Sequence, residues 1–162
     1  MVEYRDTSEY SDDSRYRWWY ERRWDDGPAL CWVGLNPSTG DSTGRPRPTL
    51  RKVVALAQSR DLSAVIVVNL FAWRATRPRD LRNAATDHDI IGARNDLIIT
   101  STSHAAALTL AAWGAHGRLF NRGAAVMKLL DRPACLGVTA RGEPRHPLYV
   151  AAGVGIQPYV RS

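Results

Sequence analysis

The fold is decided by one stretch, AVIVVNLF, which occupies residues 64 to 71. It is a continuous run of apolar and mostly β-branched residues, interrupted only by Asn69. A run without polar alternation is typical of a strand that is buried on both faces, as in a parallel sheet. Parallel strands need long crossover connections, which are usually helices. The neighbouring segments should therefore alternate between helix and strand.

The residues before this stretch follow that expectation. Residues 49 to 60 predict an amphipathic helix with Thr49 as its N-cap, since apolar side chains recur at helical spacing at Leu50, Val53, Val54 and Ala57. Residues 30 to 35 predict another strand. Residues 15 to 24 predict one more strand, joined to it through an Asp-Gly turn, so we expect these two strands to be antiparallel neighbours.

The residues after the stretch repeat the rhythm. A helix is predicted from a cap at Asp87 through Ile98, then a strand over 106–114, a helix over 119–130 and a last strand over 134–139. The whole pattern, ββαβαβαβ, predicts an α/β fold: a three-layer α/β/α sandwich with a mostly parallel central sheet and an N-terminal antiparallel strand. Residues 15 to 162 should form a single domain, and the polar residues 1 to 14 are predicted to be disordered.

Composition narrows the class of protein. The chain has 162 residues, which suits one domain, and no apolar run is long enough to span a bilayer. The acidic N-terminus lacks the order of a secretory signal, so we expect a cytoplasmic monomer with no membrane partner. The two cysteines, Cys31 and Cys135, lie in apolar runs without metal-binding spacing and are predicted to be buried free thiols.

The net charge of +6 is unevenly distributed. Between Arg45 and Arg82 there are nine basic residues and two acidic ones, which favours a polyanionic partner such as nucleic acid or a nucleotide. The same excess could instead reflect genome composition, because arginine greatly outnumbers lysine throughout the chain. Charge alone does not choose between these two interpretations.

Polar residues follow the ends of the predicted parallel strands. Asn36 follows one strand, Asn69 closes another, Trp113 and Gly114 end a third, and His146 lies in the loop after the fourth. In a parallel sheet these ends share one edge, where ligands of α/β proteins bind. We therefore predict a single cleft that Asn36, Asn69 and His146 line with inward-pointing polar atoms.

Familiar site motifs are missing from the sequence. It contains no GxxxxGK[ST] phosphate loop, no GxGxxG after a strand and no GxSxG elbow. Its four histidines lack the paired spacing of a zinc site, and no carboxylate cluster suits a catalytic metal. We accordingly expect neither a metal nor a cofactor, and a metal-dependent nuclease is the weakest of the functions considered.

A resemblance emerges from motifs in a fixed order. After the N-terminal strands come GLNPSTGD, PTLRK, VVNLFAWRATRPRDL, GARND, AWG and HPLY. In this order they resemble an uncharacterised bacterial and phage family, domain-of-unknown-function family 1643, over about residues 15 to 150. More distantly, Gly34-Leu35-Asn36-Pro37 and His146-Pro147 are similar to the first and last motifs of the uracil-DNA glycosylase superfamily, particularly its mismatch-specific branch.

The second resemblance implies a chemistry. It implies that Asn36 positions the attacking water, that His146 contacts the leaving base and that Asn69 reads the edge of a pyrimidine. Asn36 stands where more active branches have aspartate, which implies a slower reaction or a better leaving group, and Asp41 could supply a carboxylate. Leu148 and Tyr149 replace the usual serine that grips phosphate, which argues against duplex DNA as the substrate.

The remaining candidate residues would hold the rest of such a substrate. An extruded base needs an aromatic face for stacking, and a sugar-phosphate chain needs cations and hydroxyls. The stacking candidates are Phe71, Trp73 and Trp113, and the phosphate candidates are Ser38, Thr39, Arg45, Arg47, Arg51, Arg74 and Arg77. The predicted ligand is DNA, single-stranded or modified, or a nucleotide. The alternative function is a non-catalytic module that binds nucleic acid or nucleotides.

Overall fold

The computed structural model describes residues 1–39 and 47–161, which form an α/β fold. A seven-stranded mixed sheet carries helices on both of its faces. The strands are β1 Arg5–Tyr10, β2 Arg17–Arg23, β3 Ala29–Gly34, β4 Ala64–Asn69, β5 Leu108–Ala111, β6 Ala134–Cys135 and β7 Gln157–Pro158. The helices are α1 Pro48–Ser59, α2 Pro78–Ala84, α3 Asn95–Ala105 and α4 Arg122–Met127, with 3-10 turns at Ala115–Asn121 and Pro147–Tyr149.

The centre of the sheet is parallel, as predicted. β3 pairs in parallel with both β4 and β5, and β5 pairs in parallel with β6. β2 pairs antiparallel with β4, which confirms the predicted antiparallel strand. The carboxyl ends of β3 and β4 are in register, with Gly34 opposite Asn69. This register brings the polar residues that follow the two strands to the same edge.

β4 lies between β2 and β3, so the prediction that those two strands are neighbours is wrong. The segment after β2 crosses the start of β4, where the Ser63 carbonyl accepts from the backbone N–H of Trp24 and the Ser63 N–H donates to the Pro28 carbonyl. Gly27 passes so close that a Cβ there would lie 2.5 Å from Ser63 Oγ. β4 lies between them because it pairs antiparallel with β2 along one edge and in parallel with β3 along the other.

The N-terminal segment is a strand, so the prediction of disorder is wrong for Arg5–Tyr10. β1 pairs antiparallel with β2 along its whole length. Its acidic residues have basic partners, since Asp6 accepts from Arg22 Nη2 at 2.8 Å and Glu9 accepts from Arg94 Nη2 at 3.1 Å. The polar composition therefore belongs to an exposed edge strand, in which charge discourages pairing with other chains.

Helix α1 buries the predicted face, whereas its predicted cap is wrong. Leu50, Val53, Val54 and Ala57 are all buried. The helix starts at Pro48, and no side chain caps it. Proline suits the first helical position because its missing N–H would have no partner inside the helix.

The helices of the second half start later than predicted. α3 begins at Asn95 rather than Asp87, because Gly92 has a φ of +95° and packs against the Trp18 ring. The helix predicted over 119–130 is divided between a 3-10 turn and α4, since Phe120 and Asn121 have positive φ values of 52° and 56°. Left-handed residues end a right-handed helix.

Two apolar clusters fill the two sides of the sheet. On one side α1 packs against alternate strand residues such as Leu30, Val65 and Leu110. On the other side α2, α3 and α4 contribute Leu81, Ile99 and Val126. Cys31 and Cys135 are buried free thiols, as predicted, and burial raises the pKa of the Cys31 thiol to about 12. No helix in the two described ranges is long and apolar enough to cross a bilayer.

Candidate functional site

A cleft of about 780 Å³ lies beyond the carboxyl ends of the central parallel strands. Its walls come from the ends of β3 and β4, the start of α1, the turn after β5 and the loop that contains His146. Small-molecule sites in proteins usually have volumes of roughly 300 to 1,000 Å³. The cleft is thus large enough for a nucleotide-sized ligand.

The structure brings six of the predicted residues to this cleft. They are Asn36, Ser38, Arg47, Asn69, Trp113 and His146, which come from four separate parts of the chain. Their convergence follows from the parallel sheet, because the strands that precede them all end at one edge. Asp41 and Arg45 lie outside the described residues.

Two predicted stacking residues lie elsewhere. Phe71 is fully buried in the core and belongs to the α3 side of the sheet. Trp73 stacks on His88, with ring centroids 4.6 Å apart, and meets Tyr16 edge to face. Both side chains are therefore packing residues, and among the predicted aromatic residues the cleft keeps Trp113.

Four of the seven predicted phosphate-binding residues also lie outside the cleft. Arg74 lies over the Tyr10 ring and donates to the Ser14 carbonyl, and Arg77 is paired with Asp80 at 3.1 Å. Arg51 is exposed on α1 away from the cleft, and Thr39 Oγ1 is hydrogen-bonded to Thr76 Oγ1. These four side chains do not line the cleft. Arg51 is exposed, and the other three make the contacts just described.

Asn36 has one side-chain atom, Oδ1, that makes no hydrogen bond to the residues that the structure describes. Its Nδ2 donates to the Ala75 carbonyl at 2.8 Å and to the Pro37 carbonyl at 3.1 Å. These bonds join the turn after β3 to the segment after β4 and fix the orientation of the amide. The oxygen Oδ1 can accept a hydrogen bond, for example from a water molecule, but an amide cannot take the proton.

Two buried donors at the floor of the cleft have no partner among the described residues. Asn69 is only 3% exposed and its Nδ2 makes no hydrogen bond, and the buried Nε1 of Trp32 makes none either. Gly34 lies between them, since a Cβ there would be 2.9 Å from Asn69 Oδ1 and 3.8 Å from Trp32 Nε1. Buried donors are nearly always satisfied in proteins. This pair therefore points to a ligand that presents acceptor atoms.

His146 is held in one tautomer. Its Nδ1 accepts from the backbone N–H of Leu148 at 3.2 Å, so the neutral ring carries its proton on Nε2. Gly114, with a φ of +79°, lies against the Cβ of His146, and a side chain at this position would have little room. Burial lowers the pKa of His146 below its usual value of 6.5. The residue is thus a neutral N–H donor at the wall of the cleft.

This arrangement predicts a pH dependence. Because the folded-state pKa of His146 lies below its unfolded value of about 6.5, the unfolded chain binds the proton more tightly. The stability that the neutral ring contributes is present above pH 6.5 and is lost as the pH falls through the folded pKa. Nitrogen NMR across this range should show the Nε2–H tautomer at pH 7, with His146→Asn identifying the signal. A ring that titrates at or above 6.5 would contradict the assignment.

The lining of the cleft is electropositive. Arg17, Arg47 and Arg145 line it, and no Asp or Glu does within the described part of the chain. The guanidinium groups of Arg17 and Arg47 lie over the Tyr20 ring, at 5.4 and 4.6 Å from its centroid. Such a lining attracts an anionic ligand.

Sequence reasoning missed Arg17, Tyr20, Trp32 and Arg145. The first three lie within β2 and β3, whereas the predicted polar residues follow the ends of strands. Arg145 immediately precedes the His146-Pro147 motif, and that adjacency was a usable signal.

Trp113 borders the cleft, but its side chain is almost fully buried in the core and its polar atom points into the protein. Its Nε1 donates to Glu143 Oε2 at 2.7 Å, and Glu143 is fully buried. The other carboxylate oxygen of Glu143 accepts from Arg161 Nη1 at 2.8 Å. Glu143 therefore orients the indole from behind. In the described residues no group of three or more His, Cys, Asp or Glu side chains could hold a metal ion.

Comparison with known proteins gives one finding. No curated protein and no solved structure matches the chain. A family model described as protein of unknown function (DUF1643) matches residues 17–148, a range that includes the cleft residues from Arg17 to His146. The chain belongs to this DUF1643 family.

Proposed function

We propose that this protein hydrolyses the N-glycosidic bond of a pyrimidine or modified base, in DNA or in a nucleotide. The observation that carries the proposal is the convergence of Asn36, Asn69 and His146 on one electropositive cleft. The order of the motifs along the sheet further supports a uracil-DNA glycosylase-like three-layer arrangement.

Each of the three residues has a role in this reaction. Breaking an N-glycosidic bond builds positive charge on the sugar and negative charge on the departing base. Asn36 Oδ1 would orient the attacking water, and the Nε2 proton of His146 would stabilise the charge on the base. The unpartnered Nδ2 of Asn69 would bind an acceptor on the edge of the base.

A second candidate function is binding without turnover. It is favoured by one observation: no carboxylate lines the described part of the cleft, so none of the described carboxylates could act as a general base beside Asn36. Hydrolysis by these residues therefore requires a base that leaves readily, whereas binding alone requires only the donors and the charge.

The direct test is detection of a released base. We expect mass spectrometry to find free base after the protein is incubated with a panel of modified and unmodified oligonucleotides and nucleotides. Release should persist in EDTA, since the proposal uses no metal. Tight binding of a substrate without release would favour the second function, and release that EDTA abolishes would point to metal-dependent chemistry.

His146→Ala gives a more specific expectation. Removing a donor aimed at developing charge lowers turnover by about 10²-fold, and the binding of the ground state should change less because the base is neutral there. Single-turnover rates and equilibrium binding measure the two effects, with exposed His104→Ala as the control. Equal losses in rate and binding would contradict the assigned role.

A further inference from the structure

We infer that the substrate is a free nucleoside monophosphate, whose phosphate binds Arg17 and Arg47 at the β2 side of the cleft. The inference rests on the proposed function and names its substrate class. It concerns where the charge lies in the cleft, and it distinguishes a single nucleotide from a base within a DNA strand.

The arginines of the basic segment between Arg45 and Arg82 do not all lie at the cleft. A protein that follows a DNA backbone needs cations in a row outside the base pocket. Arg74 and Arg77 make contacts within their own surroundings, and Arg51 is exposed on α1 outside the cleft. None of these three arginines lines the cleft, and Arg74 and Arg77 are already engaged by neighbouring groups.

Arginine side chains supply positive charge to the lining of the cleft. Arg17 is only 5% exposed, yet it lines the cleft together with Arg47, and both guanidinium groups lie over Tyr20. The fork of donors on a guanidinium matches the oxygens of phosphate, and its hydrogen bonds to phosphate are charge-assisted. Arg17 and Arg47 line the cleft itself, whereas Arg51, Arg74 and Arg77 do not.

The order of the strands indicates how a ligand would be oriented in the cleft. The strand order places β2 next to β4, then β3 and β5, so Arg17 is at one side and the turn after β5 is at the other. Three strand spacings amount to about 14 Å, which is comparable to the length of a nucleoside monophosphate. Asn69, at the end of β4, lies between the two sides. The base would occupy the His146 side and the phosphate the Arg17 side.

Arg145 provides the competing position for the phosphate. It also lines the cleft, but it is in the loop of His146, on the side of the leaving base. A phosphate there would place the base next to β2 and away from His146. Arg47 and Arg145 can therefore be tested against each other.

The experiment compares nucleosides with their 5′-monophosphates. Binding is measured by titration calorimetry for the common and deoxy forms of each base, and for single-stranded oligonucleotides of the same bases. We expect at least one monophosphate to bind roughly tenfold or more tightly than its nucleoside. Arg47→Ala should remove this difference, whereas Arg51→Ala, one helical turn further along and outside the cleft, should preserve it.

Several results would overturn the inference. They are equal binding of nucleoside and monophosphate, no binding of any monophosphate, tighter binding of an oligonucleotide, or a phosphate preference that Arg145→Ala removes and Arg47→Ala preserves. If Arg47→Ala is misfolded by circular dichroism, Arg47→Gln is compared with Arg51→Gln instead. Monophosphate binding without base release would refute the proposed hydrolysis alone, and base release from oligonucleotides alone would refute only this inference.

Discussion

Asn36→Ala is expected to lower the rate of base release by about 10²- to 10³-fold, because removing one preorganised hydrogen-bonding dipole from an active site has effects of that size. The side chain holds its oxygen in place through two bonds from Nδ2, to the carbonyls of Pro37 and Ala75. Alanine removes both the acceptor for water and the link between the two loops. The measurement is the single-turnover rate at saturating substrate.

Binding separates the two candidate functions in the same variant. If Asn36 serves the reaction, Asn36→Ala should bind substrate nearly as well as the unaltered protein, and Asn83→Ala on exposed α2 should change neither quantity. Thermal denaturation establishes that the variant is folded. A folded Asn36→Ala protein that releases base at the normal rate would show that Asn36 only anchors its turn.

Glu143→Leu is expected to destabilise the fold by about 3 to 5 kcal/mol, the range found when one partner of a buried ion pair is removed. Glu143 is fully buried and accepts from Trp113 at 2.7 Å and from Arg161 at 2.8 Å. Leucine fills similar space but leaves the indole N–H without an acceptor. Urea unfolding at neutral pH measures the loss.

Two further variants identify the cause. Glu143→Gln keeps an acceptor for the indole, so it should be less destabilising than leucine. Replacing Arg161 as well, in Glu143→Leu with Arg161→Leu, should recover part of the stability, because the double variant no longer leaves a guanidinium without its carboxylate. If glutamine and leucine destabilise equally, the indole contact contributes little to stability.

Much of the sheet could be predicted because its central strands are apolar throughout. The apolar composition of β4 and β3 indicates that both strands are buried. The buried face of α1 is indicated by the spacing of Leu50, Val53, Val54 and Ala57. The order of strands was harder, because side-chain pattern reports which faces are buried and not which strand lies alongside. For this reason the prediction that β2 lies next to β3 was wrong.

Site residues at the end of a strand could be predicted from the sequence. Site residues in the middle of a strand could not. Asn36 and Asn69 are polar residues that directly follow apolar runs, and the parallel sheet brings them together. Arg17 and Trp32 occupy strand positions where local sequence favours packing, and only the three-dimensional structure shows that they border a cavity. Asn95 was also not predicted to support the site. It is fully buried and donates to the backbone carbonyls of Asn69 and Leu70, and these bonds fix the end of β4.

The position of β4 between β2 and β3 imposes an order on folding. During synthesis β2 and β3 emerge before Ala64–Asn69 exists, so neither strand can form its final pairing with β4 when it appears. Any early pairing of β2 with β3 has to open before β4 can enter between them. Non-local pairing of this kind slows folding. The rate-limiting step should therefore be the insertion of β4, and substitutions that weaken it, such as Val67→Ala, should slow refolding more than equally destabilising changes in β1.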